Sequence, residues 1–431
     1  MRKNSPNIIM ILTDDQGYGD LGCYGHELIE TPNIDCLAAG GIRFTDFYAA
    51  AAWCVPSRYG LMTGMHPYRG GNLQNNILQM PERVTMADML KSQGYQTALL
   101  GKWHLGMGEG SHPLDRGFDY FYGTAGSNDS PAPKGRIQNY ELFKEATKTT
   151  FPVALYHNRE IVEFPVDQSL FIQRYTREAK KIIERSSEHP FFIYLAHNMP
   201  HCPIFPSDDF RGKSKGGLYG DVIEELDWSV GEIVGSLKER GVFQDTIIIY
   251  MSDNGPWKMF KEFGGTSGAL KGEKSTTWEG GPRIPAIISW HDTIPPAVCE
   301  QFLVNIDLYA TLAHIIGAPD SATRGLDSMD ASSVLLKGAS STRNEYLFMI
   351  HDKPSAFRCG DFKVHIRSIS RTRDPHTGVA EEAVIHDPPL LFNLKKDIGE
   401  AKNLSMEFPE LSIKMLQSLE KACDDLMVGE R

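Results

Sequence analysis

Four short apolar runs set the strongest limits on how this chain can fold. They are Asn7 to Thr13 (NIIMILT), Tyr95 to Leu100, Pro190 to Ala196 (PFFIYLA) and Asp245 to Ser252 (DTIIIYMS). The first and the last, continuous rather than alternating, read as strands buried on both faces, as in a parallel sheet, and the other two as further strands. Helical patterns lie between and after them: Thr31 to Ala39, Met80 to Gly94, Val166 to Ser186, Tyr219 to Arg240 and a helix starting at Asn305 to Leu312. Gly40-Gly41, Gly94 and Gly241 stand where helix stop signals belong. Alternation of strand and helix predicts an α/β fold, a large mostly parallel central sheet flanked by helices.

Each run ends in polar residues. The first stops at Asp14-Asp15, the second at Gly101-Lys102-Trp103-His104, the third at His197-Asn198 and the fourth at Asp253-Asn254. Ligands of open α/β sheets gather beyond the carboxyl ends of the strands. If the first and fourth strands are near neighbours, Asp14, Asp15, Asp253 and Asn254 converge as four oxygen donors, a set suited to a hard divalent cation. Taken singly, an Asp-Asp pair is often a loop cap, and a lone His is often a core residue. No matching His cluster or C-x-x-C pair supports zinc. Lys102 and His104 are two apart, so on an extended backbone both face one side.

An Ala-rich approach, Tyr48 to Trp53, delivers Cys54-Val55-Pro56-Ser57-Arg58 to the start of a helix. Pro56 is tolerated in a first turn. A Cys beside a helix N-terminus and an Arg is expected to have a stabilised thiolate. Cys54 to Arg58, running on to Leu61-Met62-Thr63-Gly64, resembles the C-x-P-S-R signature of the formylglycine-dependent (type I) sulfatases, arylsulfatase-like members of the alkaline phosphatase superfamily. Further matches are Thr31 to Asp35, Gly101 to Gly106, Asp115 to Tyr122, the Lys274 to Pro285 segment with its Glu-Gly-Gly-x-Arg-x-Pro, and Asp397 to Leu404. The resemblance therefore covers nearly the whole chain.

The resemblance implies hydrolysis of sulfate monoesters. Cys54 would be converted to formylglycine by a maturation enzyme, and its hydrate would attack sulfur. Ca²⁺, with Mg²⁺ as the other candidate, would be held by Asp14, Asp15, Asp253 and Asn254. Arg58 and Lys102 would orient the hydrate. Lys274 and His197 would bind sulfate, one of them protonating the leaving oxygen, and His104 would take the proton that releases sulfate. Lys271 is the competitor of Lys274, and His201 is a residue of the pocket wall. A sulfated carbohydrate, cleaved in exo fashion, is the favoured substrate. The alternatives are a formylglycine-dependent phosphonate or phosphate ester hydrolase, and a non-catalytic binder of sulfated glycans with unmodified Cys54.

With 431 residues, 41% of them hydrophobic, the chain can bury a large core. The Gly/Ser/Thr stretch Gly338 to Arg343 suggests a boundary between a catalytic domain, 1–340, and a smaller subdomain, 341–431. There Glu345 to Ile350, Ala356 to Ile366 and Leu390 to Asn393 read as antiparallel strands and Pro409 to Met427 as a helix on that small sheet. Gly126 to Glu163 reads as an insertion at the site mouth, with Asn139 to Val153 unplaced, and the surroundings of His351 as a further pocket region. A formal net charge of −11 excludes broad nucleic-acid binding through a basic surface. The seven cysteines leave at least one thiol unpaired, Cys54 being the natural candidate. No signal-peptide pattern or membrane-spanning run occurs, so the expectation is a soluble cytoplasmic chain, or a periplasmic or secreted one had a leader been removed.

Overall fold

The computed structural model describes residues 5–70, 80–134, 138–186, 189–350 and 352–428; His351 lies outside them. Five strands form the parallel heart of a ten-stranded sheet, in the spatial order Thr246–Ser252, Asn7–Thr13, Phe191–Ala196, Gln96–Lys102, Tyr120–Thr124. Ala286–Ser289 adds antiparallel beside Thr246–Ser252, followed by Ile42–Phe44 and Ala297–Cys299. At the other edge Leu155–His157 and Glu160–Glu163 form a hairpin. The end of the expected mouth insertion thus extends the sheet, and part of the unplaced stretch is the short helix Tyr140–Lys144, capped by the Asn139 side chain.

The central strands are apolar on both faces because each face has its own core. Ile8, Met10 and Leu12 point into a cluster with Val55, Leu61, Met86 and Leu308, supplied by helices Cys54–Thr63, Met86–Ser92 and Asp307–Ile316. Ile9 and Ile11 point into another with Ile172, Tyr175, Val222 and Leu226, from helices Phe171–Glu184 and Gly217–Arg240. Two helices are shorter than expected. Met86–Ser92 starts late because Thr85 and Asp88 close a capping box there, and Phe171–Glu184 is preceded by a 3-10 turn. Gly241 ends the long helix in a left-handed conformation, φ 74°, as the sequence predicts.

Residues beyond 341 form a four-stranded antiparallel sheet, Glu345–Ile350, Lys353–Cys359, Phe362–Ser368 and Val384–Asn393, covered by helix Pro409–Val428. The single strand expected over Ala356 to Ile366 is a hairpin turning at Gly360, φ 55°. The last strand begins at Val384, earlier than Leu390. Buried ion pairs fasten this sheet to the large one: Lys363 Nζ to Glu279 Oε1 at 2.7 Å, and Arg358 to Asp46 at 2.6 Å. All seven cysteines are free. Among the described residues no helix is long and apolar enough to cross a membrane.

Candidate active site

Thr13 is in register with Ser252, so Asp14 and Asp253 leave neighbouring strands together. The Asp15 N–H donates to Asp253 Oδ1 (3.1 Å), and Asn254 Nδ2 donates to Asp15 Oδ1 (2.8 Å). The four expected oxygen donors therefore converge, and all are buried. The cations come from distant segments. Lys102 Nζ reaches Asp14 Oδ2 at 2.5 Å, Lys274 Nζ reaches Asp15 Oδ2 at 2.7 Å, and Arg58 Nε donates to Asp253 Oδ2 at 2.9 Å. Lys271 instead lies 3.5 Å over the Trp278 ring and points toward the Glu400 carbonyl.

The donor set fits a divalent cation. Both Asp14 Oδ1 and Asn254 Oδ1 are buried, and among the described residues neither has a hydrogen-bond partner. Burial raises Asp15 to about 6 against the pull of Lys274, with the Asp14 charge adding to the rise. Asp253 goes up to about 7 through burial and the same neighbour. For Asp14 burial is outweighed by Lys102, His201 and Arg58, which hold it well below the carboxylate range. Carboxylates this crowded in a dry site are what a dication relieves. Ligand atoms of Asp14, Asp15 and His201 lie within 4.8 Å of one another.

Cys54 is the first residue of helix Cys54–Thr63 and is only 3% exposed. Burial pushes its thiol up to about 11, although Lys102 and Lys274 pull it down. This overturns the expectation of a stabilised thiolate: helix terminus and cations do not compensate desolvation. A cavity of about 140 Å³ opens onto it, lined by Trp53, Cys54, His104, Ser127, Asp129, His201, Trp257, Lys274 and Arg373, among others. The Lys274 ammonium lies 4.2 Å from the Trp257 ring centroid and 5.0 Å from that of Trp53, cation–π contacts that help fix its direction.

His104 reaches the cavity by a route other than strand alternation. Its backbone is left-handed, φ 61°, and its N–H donates to the Ala125 carbonyl. Burial, Lys102 and Arg58 lower its pKa well below the ordinary value, and among the described residues its Nδ1 has no hydrogen-bond partner. Asp15 (φ 63°) and Ser275 (φ 69°) are left-handed as well. Each of the three stores backbone strain of about 1–3 kcal/mol, which the surrounding contacts hold in place.

His197 stands apart from this constellation. It does not line the cavity, its N–H still continues the sheet to the Leu12 carbonyl, and its ring lies 6.2 Å from that of Tyr175. Burial lowers its pKa to about 3, with no neighbouring charge contributing. His201 occupies the position assigned to it. The His201 ring pairs Nδ1 with the Cys202 carbonyl (2.6 Å), while Nε2 lies 3.2 Å from Ser127 Oγ and 3.6 Å from Asp15 Oδ2. Burial and Lys274 both lower its pKa. Ser127, Asp129 and Arg373 carried no family motif and were missed; two lie in a Ser/Asp-rich loop and one beyond the expected domain boundary.

The sulfatase family profile matches residues 6–318, and the profile of the C-terminal region of aryl-sulfatase matches 341–430. Human arylsulfatase A is 37% identical over 96% of this chain and 86% of its own length. This chain belongs to the sulfatase family. Human steryl-sulfatase is 32% identical over 97% of the chain and 87% of its own length. A solved sulfatase from Pseudoalteromonas sp. superposes with a TM-score of 0.87 at 30% identity, covering 99% of this chain and 91% of the other. As a sulfatase of the alkaline phosphatase superfamily, the protein hydrolyses sulfate esters. In this sulfatase, positive charge, a buried acidic group able to take a metal ion and two histidines surround one thiol.

Proposed function

We propose that the enzyme removes sulfate from a sulfated carbohydrate by way of formylglycine at position 54, with one divalent cation, Ca²⁺ or alternatively Mg²⁺, held by Asp14, Asp15, Asp253 and Asn254. The observation that carries this reading is the convergence of Cys54, His104, His201 and Lys274 on one small cavity. The modified side chain would supply a hydrated aldehyde as nucleophile, and the cation would supply Lewis-acid charge for the sulfate oxygens.

The remaining work falls to the chain itself. Lys102 and Lys274 bring positive charge to a dry site, where electrostatic stabilisation of nonbridging oxygens is strongest. Arg58, fully buried, bonds Asp253 and the Lys102 carbonyl (3.0 Å) and so keeps the strand ends in place. His104 is neutral near pH 7 and takes up a proton at a ring nitrogen. His201, with Nδ1 engaged by a carbonyl, exchanges its proton at Nε2 and replaces His197 as the sulfate-side histidine. The Trp53 and Trp257 rings offer faces for a sugar or aryl group, and Asp129 and Ser130 offer hydrogen bonds to hydroxyls. We read residues 1–340 as the catalytic unit and 341–431 as a subdomain contributing Arg373.

Cys54 is too buried for a second protein to reach it in the folded chain. The maturation enzyme would therefore act before the core closes. The deciding experiment is the mass of the Cys54 peptide from the native host, where the aldehyde form is lighter than the thiol by about 18 Da. An unmodified thiol in active enzyme would sink the mechanism.

A further inference from the structure

A cation at the edge of the catalytic cavity is left unused by the chemistry above. Arg373 lines the 140 Å³ cavity, and together with Trp53 it also lines a neighbouring cleft of about 200 Å³. The other cations of the site are committed: Lys102 to Asp14, Lys274 to Asp15 and Arg58 to Asp253. Among the described residues Arg373 has no ion-pair or side-chain hydrogen-bond partner. The nearby acids go elsewhere, since Asp374 and Glu381 pair with Arg371 at 3.6 and 3.8 Å.

The backbone around Arg373 is fixed. It bridges antiparallel to Ala380, and the Asp374 N–H donates to the Val379 carbonyl. One residue earlier, Thr372 Oγ1 donates to the Lys274 carbonyl at 2.6 Å and its N–H donates to Glu273 Oε1 at 3.1 Å. The segment carrying Arg373 is thus tied directly to the residue that carries Lys274. A half-buried guanidinium held in this way, without a carboxylate of its own, is placed to bind an oxyanion in bidentate fashion.

We propose that Arg373 reads a second anionic group, a carboxylate or a further sulfate, on the leaving group of the substrate. This rests on the sulfate-ester activity and narrows its substrate class to esters carrying at least two anions. The scissile sulfate lies inward with Lys102 and Lys274, and the second anion lies where the two cavities meet.

The test is steady-state kinetics of matured wild type, Arg373→Gln and Arg373→Lys on three esters. These are 4-methylumbelliferyl sulfate with one anion, a sulfated uronic acid glycoside and a disulfated hexose glycoside. Arg373→Gln is expected to raise KM at least ~10-fold on one of the two dianionic glycosides, with little change in kcat or in the aryl sulfate reaction. The glycoside affected identifies the anion as carboxylate or sulfate, and Arg373→Lys, which retains the charge but not the fork, recovers part of the loss. Equal loss on all three esters, or no loss on any, overturns the proposal. A wild type inert on every ester overturns the sulfatase reading instead. Calorimetric titration of the disulfated and uronic glycosides into wild type and Arg373→Gln then decides the role of Arg373: weaker binding by the variant supports it, and equal binding overturns it.

Discussion

Lys274 Nζ sits 2.7 Å from Asp15 Oδ2, a bond between residues 259 positions apart that ties the Gly-rich segment after strand Thr246–Ser252 to the end of strand Asn7–Thr13. The same ammonium faces Trp53, next to Cys54, so the contact couples the acidic cluster, the cation and the start of the Cys54 helix. Several consequences can be measured.

The two histidines after strand Phe191–Ala196, His197 and His201, should separate cleanly. His201→Ala is expected to lower kcat by roughly 10²–10⁴-fold, as for loss of a proton-transfer group. His197→Ala should leave the kinetics of the folded enzyme nearly intact and destabilise it by about 1–3 kcal/mol, since it empties a buried position without touching the cavity. Kinetics and urea melts of both variants check this; a kcat collapse confined to His197→Ala would reverse the assignment.

Removal of divalent cations with a chelator should abolish turnover and lower Tm, because a ligand bound only by the folded state stabilises it. Readdition of Ca²⁺ or Mg²⁺ separates the two candidates. In Asp14→Asn, whose Oδ1 is one of the unpartnered buried oxygens, the Tm response to added cation should shrink or vanish.

Gly101 cannot be replaced. Its φ is 104°, and a Cβ there would stand 1.9 Å from the Ala196 carbonyl oxygen on the adjacent strand. Gly101→Ala is expected to cost at least about 3 kcal/mol or to abolish soluble expression, through clash and strain together. Near-normal stability by thermal melt would refute this close approach of strands.

Stability should depend on pH in two opposite ways. Burial alone would raise the Glu279 carboxyl, but Lys363, Arg283 and Arg358 bring it down to about 2. A lowered carboxylate contributes stability above its unfolded value of 4.5, lost as pH falls from there toward 2. Glu225 is raised to about 7 by burial, against a hydrogen bond from the Ser207 N–H. Its contribution is full below 4.5 and disappears as pH rises through 7. Urea melts across pH should show Glu225→Gln flattening the alkaline side of the profile. Glu279→Gln should flatten the acid side while lowering stability near neutrality, because it leaves Lys363 and Arg283 less well compensated.

The sequence by itself determined the central strands and which polar residues end them. A strand covered on both faces must be apolar throughout, so Asn7–Thr13 and Thr246–Ser252 were visible as uninterrupted runs, and the polar residues ending them had to emerge at the same edge. The tertiary structure decided what depends on long-range packing. Cys54 has its charge state set by burial rather than by its neighbours in the chain. His197 and His201 differ by one turn of the backbone: the first still obeys the sheet and goes into the core, whereas the second swings back over Asp15. Arg373 joins the site only because a separate sheet, fastened by buried pairs such as Lys363 to Glu279, brings its loop against Lys274. Local pattern fixes what a residue must be near along the chain; desolvation and ion pairing are set by what the fold packs around it.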